Sequence, residues 1–545
     1  MTPVHHSCFP KAVFANCPRL SILISCMCLL VMAIAAMPLH SQTYTDLHDF
    51  NCSTDGCRSG YAATPAQGRD GNLYGTLLTG GTAAGTVYKI TPAGTFTVLH
   101  NFTGPDGEVL NSGLTLGPDG NFYGAATSGG ANGIGTLFKI TPAGVLTTLH
   151  DFTAAEGGGV YGTPVMGKNG SFYGVTVNAI AYSITPSGTF KLLPNLAPGP
   201  SYAALFLAKD GNFYGTTHTG GAGFGTVFRM SATGAIKIIY SFDSTHGGFP
   251  LGPVVQSSDG FLYGTASSGG ALANAGGVVF KLSTAGAITV LHEFDSTSTT
   301  DGYQPSAELV AATDGNFYGA TRTGASGSAQ YGALFKITKT GTYTFLHAFD
   351  NTHGSDPDAT AMQHTNGILY GQTNGGSGVF YSLAEGIPPF ASLVGNTFGT
   401  AGTTVEILGD GLTGTTKVLF GSGSATFTVV SDTFMTAVVP ASGVTGTVSV
   451  TTPSGTLKSA QTFKVFPVIS SFTPTSGPVL TQVTITGTGL TGATKVTFGG
   501  VKATVFNVVS GTQVKATVPT GALTGKIGIT TAGGSTTGPG TFTVN

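Results

Sequence analysis

Residues able to do chemistry are sparse in this chain, where only 8% of positions are charged, and they fall into three sets. The first is acidic and tyrosyl: Asp106, Glu108, Glu156, Tyr161, Asp243, Asp295, Asp301, Tyr303, Asp350 and Asp356, with Asp358 beside them, all in stretches of variable length between recurring motifs. Carboxylates beside tyrosines suit a sugar ring, which asks for hydrogen-bond acceptors and an aromatic platform, or a loosely held cation. The second set is His48, His100, His150, His292 and His347, which share one local context. A metal would need them to converge. The third is Cys52 and Cys57 in Cys-Ser-Thr-Asp-Gly-Cys, a pair around a turn that reads as a local disulfide in an oxidising compartment.

What positions these sets is a repeat. Asp70-Gly71-Asn72-Leu73-Tyr74-Gly75 returns as DGNFYG at 119–124, NGSFYG at 169–174, DGNFYG at 210–215, DGFLYG at 259–264, DGNFYG at 314–319 and NGILYG at 366–371. The second-position glycines are 49, 50, 41, 49, 55 and 52 residues apart. Each unit divides into four strand-sized pieces. In the second these are Leu114–Leu116, Phe122–Thr127, Thr136–Thr141 and Val145–Phe152, joined by Asp-Gly and Pro-x-Gly turns that provide the backbone angles of tight hairpins. Four antiparallel strands at this period predict a propeller blade.

The array's ends predict how it closes. Seven markers are followed by only six outer-strand sequences, and Tyr44–Phe50 matches the Leu-His-x-Phe ending that the last unit lacks. The N-terminal strand is therefore expected to complete the last blade and leave no open sheet edge. The recurring histidines then sit in outermost strands, which radiate from the axis and hold them apart. Asp-Gly makes the hairpin turn and the marker aromatic packs between blades, so the repeated residues are structural. Functional expectation falls on the opposite face, where the variable loops lie together with the acidic and tyrosyl set and the Cys52–Cys57 loop.

The unit GTLFKITPAG…LHDF…DGNFYG…TSGGANGIG resembles the GloVer-type tandem repeat of exported bacterial proteins over about residues 44–383, the third unit departing by loss of its Gly-Gly loop. That resemblance implies export and repeat architecture, with no established activity. Beyond it, Gly409–Gly421 matches Gly487–Gly499, and Ala437-Val438-Val439-Pro440 matches Ala516-Thr517-Val518-Pro519. With Ser471-Phe472-Thr473-Pro474 opening the second copy, both copies resemble IPT/TIG immunoglobulin-like domains. The expected fold class is all-β: a seven-bladed β-propeller over 42–386, followed by two immunoglobulin-like β-sandwiches over 387–466 and 467–545.

Residues 1–41 read as a signal peptide: Lys11 and Arg19 precede an apolar run from Leu20 to Met37 and a polar exit. An exported protein with no membrane span after cleavage, extracellular or on the cell surface, is expected. Phe542–Asn545 carry no apolar tail or sorting signal, which favours secretion or retention through partners. A net charge of −2 with thinly spread Lys and Arg excludes a nucleic-acid partner by charge alone. No catalytic residue, metal or cofactor is assigned, because the segments nearest the axis are mainly apolar and offer neither a carboxylate pair nor a metal set. The expected role is a non-enzymatic binding or adhesion scaffold for a polysaccharide or another surface protein. The alternatives are a propeller enzyme acting on glycans as hydrolase or lyase, and a purely structural envelope component.

Overall fold

The computed structural model describes residues 42–80, 84–195, 199–298, 301–324, 331–359 and 361–545. The expected leader, 1–41, lies outside them. The described chain is built of strands, with one 3-10 turn at Ala154–Glu156, and no helix in it is long and apolar enough to cross a membrane. Seven four-stranded sheets precede Ala384 among these residues. The first six run inner to outer in chain order, the last takes its outer strand from the N-terminal side, and we number them as blades by the order of their inner strands. The second blade has a two-residue inner strand Thr115–Leu116, then Phe122–Ala126, Thr136–Ile140 and Leu146–Asp151. The two middle strands are buried on both faces, whereas the outer strand is half-buried, with Thr147 exposed. That gradient follows from sheets packed face to face around an axis.

The marker residues each have a structural task. Asp119 accepts hydrogen bonds from the backbone and side-chain amides of Asn121 (3.2 and 2.7 Å) and from the Tyr123 hydroxyl (2.8 Å). The same Asp-to-Tyr bond recurs at 70/74, 210/214, 259/263 and 314/318, and in the two NG variants Asn169 and Asn366 donate to the tyrosine instead. The tyrosine ring then stacks on the next blade's marker aromatic: Tyr74 on Phe122 at 4.1 Å and Tyr123 on Phe172 at 4.0 Å. The glycine after it is demanded by its cross-strand partner. Gly124 faces Phe138, and a Cβ there would sit 2.6 Å from the ring. An aromatic ring lies over a bare glycine in this way in every blade, from Gly75–Tyr88 to Gly371–Tyr381.

Aromatic clusters seal each blade to the next, including the last to the first, where Phe50, Leu73, Tyr88, Tyr370 and Phe380 are buried together. The last sheet is composite. Met362–Gln363, Leu369–Gln372 and Val379–Ala384 are joined by Thr43–Asp49, which pairs antiparallel from Thr43↔Ala384 to Asp49↔Val379. In the third blade, where the Gly-Gly loop is missing, Phe172–Val175 returns to Ile180–Ile184 through a tight turn with Ala179 at φ 64°.

Two sandwiches follow. The first pairs the sheet containing Thr404–Leu408 and Phe434–Val438 with the sheet containing Gly446–Thr452 and Gly455–Val465, around Ile407, Val418, Phe420, Met435 and Phe463. The second repeats this with Gln482–Thr488 and Gln513–Thr517 against Lys495–Phe498 and Ile527–Thr531. The first sandwich is seated on the marker face of the propeller. The Arg69 guanidinium donates to both Glu406 oxygens and to the Pro118 carbonyl, each at 2.7 Å, and lies over the Phe434 ring at 4.7 Å. Thr433 donates to the Arg69 carbonyl (2.8 Å) and Thr365 to the Gly409 carbonyl (3.0 Å).

Candidate functional site

Three of the loop carboxylates singled out by sequence are claimed by the recurring histidines. The ring nitrogen Nε2 of His100 bonds Asp106 at 2.7 Å, that of His150 bonds Glu156 at 3.2 Å and that of His292 bonds Asp301 at 2.7 Å. His48 completes the pattern with Asp55 at 2.9 Å. Each carboxylate also accepts a backbone N–H three to six residues before it, at Asn51, Thr103, Thr153 or Asp295. Burial pushes the Asp55, Asp106 and Glu156 carboxyls up, but these hydrogen bonds outweigh it and hold all three below the usual carboxylate range. Three of the histidines stack flat on the next blade's outer-strand aromatic: His48 on Phe96, His150 on Phe190 and His292 on Tyr343.

The remaining expected residues divide by distance from the axis. Asp243 bonds His246, and Asp350 bonds His353, within their own exposed loops. Asp295 accepts from Thr297, and Glu108 is exposed while its backbone pairs with Ser128. Tyr303 pairs through its backbone with Thr323. Cys52 and Cys57 are bonded to each other, with Cα atoms 4.7 Å apart, at the outer part of this face. Of the expected set, Tyr161 stands beside Tyr202 and Tyr61, and Asp356 beside Arg322.

There the sevenfold repetition breaks down. Three side chains converge on the fully buried Asp358 carboxylate: Ser306 donates at 2.9 Å, Asn374 at 3.2 Å, and the Arg322 guanidinium lies 3.6 Å away. Burial raises the Asp358 pKa against these partners, while Asp358 raises that of Arg322, so the cation is fixed beside the opening. On the other side Tyr161 meets Tyr202 edge-on (5.1 Å), Tyr202 meets His218 (5.4 Å) and His218 meets Phe249 (5.3 Å), an aromatic arc along the rim. Burial lowers the His218 pKa and leaves the imidazole neutral at neutral pH.

Below the rim the axis holds a cavity of about 360 Å³, whose wall includes Tyr61, Thr115, Thr163, Phe206, Leu207 and Glu308. Glu308 is the one carboxylate lining it among the described residues, and burial pushes its pKa up to about 7. Sequence reasoning passed over Glu308, Arg322, Tyr202 and His218. The signal existed: with inner strands aligned, Glu308 occupies the position of Thr64, Gly113, Thr163, Ala204 and Pro253, and is the single acid among them. On the marker side a further space of about 410 Å³ lies under Phe390, Leu393 and Gly395, so the first sandwich covers that end of the axis. The arrangement is a one-mouthed cup with an aromatic rim, a fixed cation and a carboxyl that exchanges a proton near neutrality.

The chain matches the model of the Gloeobacter/Verrucomicrobia repeat over residues 33–196 and 177–384, and that of the IPT/TIG domain over 389–465 and 467–544. A search of curated proteins gives no match. Among solved structures, the chain is similar to a streptogramin B lyase at 18% identity, covering 63% of this chain and 97% of that one, with a TM-score of 0.46. It is similar to virginiamycin B lyase from Staphylococcus aureus at 15% identity, covering 63% and 99%, with a TM-score of 0.45. A surface glycan-binding protein from Prevotella bryantii matches at 18% identity over 29% of this chain and 39% of that one, with a TM-score of 0.21.

Proposed function

Because the chain belongs to the Gloeobacter/Verrucomicrobia repeat family and carries two IPT/TIG domains, we propose that it is an exported binding scaffold whose propeller takes a saccharide end into the axial cup. The observation that carries this is the pairing of an aromatic arc, Tyr161–Tyr202–His218–Phe249, with a cavity that has Glu308 in its wall. Aromatic faces and edges cover the apolar C–H surfaces of a sugar. Glu308 adds a carboxyl, and Thr115, whose own proton goes to the Pro164 carbonyl, keeps lone pairs to accept from sugar hydroxyls, a division of labour general to small-molecule sites. Export rests on the basic-then-apolar character of residues 1–41.

Screening the full chain against a polysaccharide array, with product analysis, tests this reading. The expected result is retention of a neutral glycan without cleavage, weakened about tenfold by Tyr202→Ala, the order of effect of one lost aromatic contact. Wild-type affinity in Tyr202→Ala and Glu308→Gln together would overturn it. A second reading, a glycan-cleaving enzyme, has one observation in its favour: a carboxyl with a pKa of about 7 is suited to act as a general acid. New reducing ends in the array eluate, abolished by Glu308→Gln, would decide for that reading.

A further inference from the structure

On the marker face, away from the cup, two lysines from the blades on either side of the fifth converge on the fifth blade's marker turn. Lys209 of the fourth blade donates its Nζ to the Ser257 carbonyl (3.1 Å), and Lys339 of the sixth donates its Nζ to the Ser258 hydroxyl (2.7 Å). The backbone N–H of Lys209 is itself held by Gln256 Oε1 at 2.9 Å. Both lysines line a crevice of about 580 Å³ between this face and the first sandwich, and Lys458 on the strand Gly455–Val465 closes it from the sandwich side.

Among the described residues none of these three ammoniums forms an ion pair. The nearby Asp259 carboxylate is taken by Lys281 at 3.0 Å and Tyr263 at 2.7 Å. Positive charge continues along the same sandwich strand to Lys464, which together with burial lowers the pKa of Lys168 on the third blade. In a chain with a net charge of −2, this gathers like charge against Coulomb repulsion with only neutral oxygens as anchors.

The rest of the lining narrows the ligand. The exposed Thr313, Thr447 and Thr456 supply hydroxyl groups that match sugar hydroxyls. Lysines provide separated point charges, suited to carboxylates spaced along a polymer and lacking the flat fork that grips one phosphate or carboxylate in two places. The crevice aromatics Phe317 and Phe390 are 1% and 8% exposed, so they offer no platform for stacked bases. We infer that this crevice is a second binding site, for an anionic, carboxylated polysaccharide laid between the propeller and the first sandwich.

Titration of the full chain with a short oligogalacturonate, monitored by calorimetry, tests the assignment. Binding is expected to weaken steeply with added salt. It is expected to fall at least about tenfold in the Lys209→Gln/Lys339→Gln/Lys458→Gln variant, and measurably in Lys458→Gln alone. Lys502→Gln, on the second sandwich, should bind as wild type. The proposal is overturned if the wild-type chain does not bind the probe, if the triple variant binds it unchanged while melting like wild type, or if a neutral oligosaccharide of equal length competes equally. Tighter binding of single-stranded DNA through the same lysines would overturn the carboxylated-sugar assignment. Since the lysines are surface groups, the triple variant is expected to keep the wild-type melting temperature, and Glu308→Gln should leave oligogalacturonate affinity intact.

Discussion

At the residue scale the recurring histidine and the loop carboxylate explain each other. Four histidines are locked by an acid of the loop that follows, and the sixth blade shows what happens when that acid is missing. Asp350, which follows His347, turns to His353 instead, and His347 keeps a buried Nε2 without a partner. Its ring is stacked at 3.7 Å on Tyr44, and burial lowers its pKa from 6.5 to about 4. The unfolded imidazole therefore binds a proton between these two values while the folded one does not. The His347 contribution to stability is fully present above pH 6.5 and is lost as pH falls toward 4. Urea unfolding across this window is expected to give a smaller pH slope for His347→Phe than for wild type. An identical slope would assign the acid sensitivity to other groups. Carboxylate protonation at the Asp55, Asp106 and Glu156 latches belongs to lower pH, because these three are held below their usual range.

At the element scale, closure depends on one strand supplied from far away in sequence. Thr43–Asp49 covers the edge of the last sheet, and Tyr44 packs there against His347, Phe349 and Tyr381. Deleting 43–49 exposes that edge and uncovers the cluster shared with the sixth blade. It is expected to lower the melting temperature of the propeller as a whole, followed by circular dichroism, with Tyr44→Ala costing about 2 kcal/mol. A deletion that melts at the wild-type temperature would mean the strand is an accessory. This pairing was readable in sequence because Leu47-His48-Asp49-Phe50 carries the outer-strand signature that the last unit lacks. Everything written several times over was legible in the same way: the Asp-Gly turn, the tyrosine behind it and the strand order. The axial cup was not, because it is made of departures from the repeat. Glu308, Arg322 and His218 each occur once at their blade positions, and nothing in a linear reading says that the sixth and fourth blades bring them to one opening.

At the scale of the whole molecule, the first sandwich is part of the propeller's architecture, seated on its marker face. The contact that holds it, Arg69 to Glu406, spans 337 residues and leaves no pattern in composition or period. Arg69→Ala removes the ion pair that its Nη2 makes with Glu406 and the contact with Phe434. The hinge region at 385–391 should then be cleaved faster by added protease. Oligogalacturonate affinity should fall, because Lys458 no longer faces Lys209 and Lys339, while glycan retention by the cup stays unchanged. Cleavage at the wild-type rate would show that the remaining contacts suffice. The register of the composite sheet carries a different consequence, a mechanical one. Thr43 and Ala384 are paired at the same end of two antiparallel strands, so tension applied between the chain before the propeller and the chain after it pulls on a single rung. Once the docked sandwich yields, such a load unzips the ring rung by rung instead of shearing the sheet. Tyr44, stacked beside that first rung, is the peg the zipper must pull before it runs.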